Sequence, residues 1–440
     1  MKILLAILLN AALLTVLLPW LRRQWREAPT WVRWALVWGL GTRLLVGAWR
    51  GGILANDALN ISLQADSITR MLRAQPSAFL RTLHTGEVAW HHQIITYNGM
   101  SNTLFSAKVV GLLNIASADQ GWLNGMYLSL LSFIGCWVLA RTVARVFPAT
   151  PPAAAMVAFV AWPTVIFWAA GVAKEPLLLG SGAWLLAVFL SLFYESEARP
   201  SRARAGQVVG LLVLAYVHFN MRYFFAAPLL GVLVGLAVLR AMQHLRLARS
   251  RWAQALVLVA VLAGGAWAAT EVGVAFRVNK FINQTIRIYT HSLDASASKP
   301  HFEYSDLRPT GESFVQHAPL AVANAFTRPW LGESWQPMYV AASLENAVLL
   351  FLLAVAMVAA WRRQSGRLPF QVVLALGIFC IILAVLLGLS TPNLGSLNRY
   401  RSAMLPYAVL LLLQNGYAAA GLRRLGLGPP AKAPVPLPDA

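Results

Sequence analysis

Charge is what this chain has least of. Only 12% of its 440 residues are charged, against 58% hydrophobic, a balance that excludes an ordinary soluble domain. Acid is scarcest, with 16 Asp and Glu facing 36 Lys and Arg for a formal charge of +20. Cysteine is nearly missing: Cys136 and Cys380 both sit in apolar runs, which excludes a disulfide framework and leaves them as small apolar fillers. There is no nucleic-acid motif, so the positive charge is not read as a sign of a nucleic-acid partner. No metal-binding spacing stands out either. His91 and His92 are adjacent, and neighbouring histidines rarely turn both rings to one ion.

What is present is grease in lengths that match a bilayer. Runs of about 18 to 22 apolar residues at 1.5 Å per residue cover a hydrocarbon core of about 30 Å, and backbone in lipid must be helical there. About eleven such spans can be drawn, at 3–20, 31–50, 122–140, 152–170, 176–194, 206–221, 224–240, 252–270, 344–361, 369–390 and 404–421. The fold class expected is all-α, a polytopic transmembrane bundle over residues 1–421. Residues 422–440 form a Pro/Ala-rich cytoplasmic tail, disordered from Pro429 onward. The first run follows Lys2 and ends in Leu-Leu-Pro-Trp without a small-x-small cleavage site, and Arg22, Arg23 and Arg26 come straight after. That reads as an uncleaved helix with its N-terminus outside.

Arginine sorts the loops. One set carries Arg22, Arg23, Arg26 and Arg33, then Arg141 and Arg145, then Arg199, Arg202 and Arg204. It continues with Arg240, Arg246, Arg249 and Arg251, then Arg362, Arg363 and Arg367, and closes with Arg423, Arg424 and Lys432. With these spans all six segments fall on one face, the cytoplasmic one by the positive-inside rule, and the C-terminus lies with them. The other face holds two long loops, 51–121 and 271–343. Segment 103–117, with Lys108 inside it, reads as an interfacial or re-entrant helix. Phe314 to Phe326, flanked by Trp330 and Trp335, reads as an element lying in the headgroup layer.

Basic residues on the outer face run against that trend, so each needs a reason. Lys174, one of six lysines, stands beside Glu175 and Pro176 at the start of the fifth span. A helix N-terminus with free N–H groups and a cation suits a phosphate; the competing reading is a snorkelling lysine paired with Glu175. Arg399 and Arg401 bracket Tyr400 before the last span and could grip a pyrophosphate bidentately. Arg222 and Arg328 add further contacts, or anchor helix ends. Asp57 and Asp66 could deprotonate an acceptor hydroxyl or flank a divalent cation, or else cap helices. Arg43, inside the second span, is either part of the site or in an ion pair with another helix, for which Glu345 is the candidate partner.

Arg43, Asp57 and segment 103–117, in that order, resemble the N-terminal third of GT-C-type membrane glycosyltransferases. The segments around Lys174 and Arg399 are similar to those of bacterial membrane proteins of cell-surface polysaccharide assembly. The family often has a second acid directly after the first; Ala58 stands there in this chain, which keeps Asp66 in play. The resemblance implies a multi-pass protein of the bacterial cytoplasmic membrane that takes sugar from a polyprenyl-phosphate carrier and passes it to a glycan acceptor. Lys174, Arg399 and Arg401 would hold the phosphate and Asp57 or Asp66 would act as base. The competing readings are a polysaccharide polymerase or ligase, a transporter or flippase of a lipid-linked saccharide, and a scaffold among partners of an assembly complex.

Overall fold

A computed structural model describes residues 2–75, 87–90, 93–96, 101–195, 200–273 and 276–428. His91, His92, Arg199, Lys432 and the tail from Pro429 lie outside the described residues. Helices dominate: α1 (Lys2–Glu27), α2 (Thr30–Gly52), α3 (Asp57–Ala74), α4 (Asn102–Ser117) and α5 (Gly121–Val146). They are followed by α6 (Pro152–Met156), a π-helical turn (Val157–Ala161), α7 (Pro163–Trp168) and α8 (Lys174–Tyr194). Next come α9 (Ser201–Met221), α10 (Tyr223–His244), α11 (Arg251–Val272), α12 (Val278–Asp294) and α13 (Gly311–Thr327). The chain finishes with α14 (Pro337–Trp361), α15 (Phe370–Ser390), α16 (Leu394–Arg401), α17 (Leu405–Leu413) and α18 (Gly416–Arg424). Two short strands, β1 (Glu87–Trp90) and β2 (Gln93–Thr96), pair antiparallel within the first long loop.

The protein is an all-α multi-pass membrane bundle. Among the described residues seven helices are long and apolar enough to cross a bilayer: α1, α5, α8, α10, α11, α14 and α15. An eighth is reached if α17 and α18, bent by 93° against each other, make one broken span. The eleven expected segments all fall on helices, but four do not pass this test as single helices. One is broken at Pro163, one at the α17–α18 bend, α2 carries Arg33, Arg43 and Arg50 along its length, and α9 has Arg202 and Arg204 in its first turn.

While α15 packs against α10, α12, α13 and α17, the core is α5 and α8, with α2 packed on α5 and α9 on α8. Their close approach has a specific cause. A Cβ on Gly135 would sit 2.1 Å from the carbonyl oxygen of Gly180, and one on Gly125 would sit 2.1 Å from that of Gly47. Backbones therefore touch where α5 crosses α8 and α2, as small residues allow in membrane packing. By contrast α1 and α11 keep only one buried residue each, Ala6 and Leu258, and lie on the rim.

Contacts join the arginine-bearing segments at one end of the bundle. Trp31, Arg141 and Gly428 line one cleft, and Arg145 Nε meets Glu195 Oε1 at 3.0 Å. Arg240 Nε donates to the Phe193 carbonyl at 3.0 Å, Gln243 bonds Gln371, and Gly416 N donates to Gln364 O at 3.0 Å. Helix α4 meets the other end twice. Thr103 near its start accepts from Lys174, and Asp119 just past its end pairs with Lys2 at the start of α1. In the second long loop α12 and α13 pack on α15. Residues 300–302 are pinned to the approach of α16 through Leu394 N to Pro300 O at 3.0 Å and Phe302 N to Pro392 O at 3.2 Å.

The break at Pro163 explains one buried charge, Arg43, and one half-buried charge, Glu345. Proline lacks an N–H, so the carbonyl of Phe159 four residues earlier loses its helical donor. Arg43, fully buried, supplies that donor through Nη2, and its Nη1 donates to Ser132 Oγ at 3.0 Å. On the far side of the break the Thr164 N–H donates to Glu345 Oε2 at 3.1 Å, and its hydroxyl does so at 2.7 Å. The expected Arg43–Glu345 pair is therefore corrected. Each residue serves one lip of the same break, the cation on the carbonyl side and the carboxylate on the amide side, as the helix dipoles require.

Placing a side chain at the α5–α8 contact should force the helices apart. We expect Gly135→Leu to lower the melting temperature and membrane yield sharply, while Gly210→Leu, at a position with open space around it, should leave both unchanged. Equal thermal unfolding of the two variants in detergent would contradict the backbone-contact account.

Candidate functional site

At the end away from the arginine-bearing loops, the turn between α7 and α8 is fixed before any charge is placed on it. Gly171 takes a φ of +84° and donates its N–H to Ser129 Oγ at 2.9 Å. Arg50, at the end of α2, donates through Nη1 to the carbonyls of Phe167 at 2.6 Å and Ala170 at 2.8 Å. Its guanidinium lies 5.1 Å from the ring centre of Phe167 and 5.0 Å from that of Trp168. From this turn α8 starts with Lys174 and Glu175, putting a carboxylate in the first turn where the helix dipole favours it.

Glu175 is 1% exposed and organises the cluster. Arg399 Nη2 donates to its Oε2 at 3.0 Å and Arg399 Nε stands 3.0 Å from its Oε1. Arg222 Nη2 is 3.5 Å from Oε1, and its guanidinium lies 4.1 Å from the ring centre of Tyr400. Asp57, the first residue of α3, meets Arg399 Nη2 at 3.4 Å and remains partly open to solvent. Burial works against the charge on Arg399, but Glu175 and Asp57 outweigh it and hold the guanidinium more firmly protonated than usual. Lys174, buried, donates to Thr103 Oγ1 at 2.9 Å rather than to its neighbour Glu175. Segments some 340 residues apart thus bring Asp57, Lys174, Glu175, Arg222 and Arg399 together.

Other candidates lie elsewhere. Arg399 and Arg401 do not share a ligand, because their segment is helical and residues two apart diverge by about 200°. Arg401 is buried on the opposite side, its Nη1 donating to the Arg328 carbonyl at 3.1 Å, and burial pushes its guanidinium down to about 10. Arg328 pairs with Glu333 at 3.2 Å and faces Phe302. Asp66 is also apart. Nine residues along α3 amount to about a half turn of phase and about 13.5 Å from Asp57, so the two carboxylates cannot flank one cation. Asp66 accepts from Asn114 Nδ2 at 3.1 Å, close to Asp119. Lys108 is half-buried on α4. The α8 N-terminus, expected to be free for a phosphate, already holds the chain's own Glu175. Among the described residues no group of three or more His, Cys, Asp or Glu is placed to hold a metal ion.

Arg50 and Thr103 escaped the sequence reading. Arg50 carried a usable signal, since it ends the second span on the face where arginine is unexpected; Thr103 carried none. Beside the cluster opens a cleft of about 210 Å³, bounded by Arg222 and Tyr400, aromatic residues of α10 and α12, and Gln284, Ser390 and Thr391. No family model, curated protein or solved structure matches the chain.

Two outcomes separate the cluster from its surroundings. Glu175→Gln leaves two buried arginines facing a neutral amide, and breaking a buried pair in this way costs about 3–5 kcal/mol, to be read as a lowered unfolding midpoint. Burial and Asp119 raise the Asp66 carboxyl above its ordinary value. A carboxyl raised in the folded state stabilises the protein at low pH, and that contribution is lost as pH rises through the raised value. Asp66→Asn, which keeps the acceptor for Asn114, should therefore be at least as stable as the parent at neutral pH, and thermal melts at pH 5 and pH 7.5 check this.

Proposed function

We propose that this protein is a membrane glycosyltransferase of the GT-C type, acting on a polyprenyl-phosphate-linked sugar at the extracytoplasmic face of the bacterial cytoplasmic membrane. One observation carries the reading. Among the described residues, Arg50, Lys174, Arg222 and Arg399 surround two carboxylates, Asp57 and Glu175, which leaves an excess of two positive charges in a largely buried place. Unbalanced charge away from water is costly, and a bound anion carrying about two negative charges would offset it. A sugar phosphodiester brings one such charge and the phosphomonoester that leaves it carries about two, so the excess matches the leaving group, whose oxygens accept hydrogen bonds on every side.

On this reading Lys174 and Arg222 hold the phosphate, and Arg399 stays clamped by Glu175 as the fixed wall of the site. The acceptor hydroxyl oxygen attacks the anomeric carbon and gives its proton to Asp57, the one carboxylate of the cluster open to solvent. The bond from that carbon to the phosphate oxygen breaks, and the carrier phosphate leaves with the bonding pair. Cations already in place compensate the charge that develops on it. The cleft beside Arg222, with aromatic walls and amide and hydroxyl groups, suits a saccharide. The glycan acceptor and any assembly-complex partners belong to the same proposal. A polymerase or ligase using the same carrier would need the cations without the carboxylate.

The test is a transfer assay in proteoliposomes with a lipid-phosphate sugar donor. Lys174→Ala and Arg222→Ala should abolish donor binding and transfer while membrane abundance holds. Asp57→Asn should retain donor binding and lose about 10²- to 10⁴-fold in turnover, the usual contribution of a general base. Full turnover in Asp57→Asn with none in Lys174→Ala would favour the polymerase or ligase reading, and full turnover in all three would remove the phosphate site.

A further inference from the structure

Helix α16 has two functional faces, and the cluster uses only one. On the other face a groove of about 670 Å³ runs between α7, α14 and α16. Trp162, Phe167 and Trp168 form one wall, and Met338, Ala341 and Val348 the other. The α14 wall belongs to a helix apolar enough to span the bilayer, and Met338, Leu344 and Val348 along it are exposed. The groove thus opens sideways, where lipid chains lie.

Its lining is not wholly apolar. Glu345 spends Oε2 on Thr164, but its other oxygen, Oε1, is buried without a hydrogen-bond partner. The Trp162 indole approaches the carboxylate without the alignment of a hydrogen bond. Asn398, 5% exposed, also lines the groove, and its Oδ1 has no partner among the described residues. Two buried acceptors in an apolar groove, one of them on a carboxylate, call for a cation that donates. Arg401 is near enough to influence Glu345 and keeps two buried donors, Nε and Nη2, without partners among the described residues, yet it does not line the groove, and neither donor is hydrogen-bonded to the Glu345 or Asn398 oxygens.

We propose that this groove binds an ammonium-headed phospholipid, with an acyl chain along α14 and the ammonium group between Glu345 and Asn398. An ammonium has three donors and no acceptor, which matches the two open acceptors of the groove. Asn398 precedes Arg399 in the chain, so the lipid touches the helix that carries the charged cluster. The inference does not depend on the chemistry of that cluster.

Photo-crosslinking of the full-length protein in nanodiscs tests it without any need for turnover. Phosphatidylethanolamine, phosphatidylglycerol and phosphatidylcholine, each with a diazirine on the acyl chain, are compared for labelling of the peptide containing residues 338–348. Phosphatidylethanolamine should exceed phosphatidylcholine, a cation without donors, by about tenfold, the scale of losing one charge-assisted hydrogen bond. Glu345→Gln should remove that preference, and Ala341→Trp or Met338→Trp should remove the labelling by filling the groove. Equal labelling by all three lipids, preference for phosphatidylglycerol, or labelling that survives both groove-filling variants in folded protein would each overturn the proposal.

Discussion

The grip of Arg399 and Arg222 on the Glu175 carboxylate is the constraint around which the far end of the bundle is organised. A carboxylate that is 1% exposed cannot stay ionised alone, so α8 cannot settle until α16 and the α9–α10 junction arrive. Those partners come from positions 47 and 224 residues further along the chain. Buried ion pairs seldom add net stability, but they penalise every arrangement in which one member is left behind. Here that penalty selects the packing of the last helices against the middle of the bundle, and it draws Asp57 of the first long loop to the same place.

A second set of polar contacts solves a different problem, that of a helix broken inside apolar surroundings. Pro163 strips a donor from the Phe159 carbonyl and opens the helix, and Arg43 and Glu345 repair the two lips from separate helices. The π-helical turn just before the break belongs to the same adjustment. Without such repair a break at this depth would expose backbone to hydrocarbon. The break is also what frees Trp162, Phe167 and Trp168 to form walls, one toward Arg50 and one toward the lateral groove.

Much of this was legible in the sequence, for a physical reason. Arginine distribution follows membrane topology, so it marked the six segments that do meet at one end, and it marked Lys174, Arg222 and Arg399 as exceptions. Glu175 was legible as Lys174's neighbour, though not as the anion seated at the helix start. Local phase was not legible. Reading Arg399 and Arg401 as a pair bracketing Tyr400 put them on one ligand, whereas eight residues of helix, Leu394–Arg401, turn them apart. The same geometry parts Asp57 from Asp66. The partners of Arg43 and Glu345 were out of reach, since a broken helix creates its needs only when the backbone is in place.

The backbone contact of Gly135 with Gly180 bears on how anything could enter. Helices pressed carbonyl to α-carbon cannot slide or tilt past each other without a clash, so α5 and α8 act as a fixed post carrying Lys174 and Glu175 at its tip. The short helix α16 and the start of α3 touch that tip chiefly through side chains. On the proposed reading, widening of the site therefore falls to the elements that touch that tip more loosely, α3 through Asp57 and the α9–α10 junction through Arg222, with the central pair as the jamb.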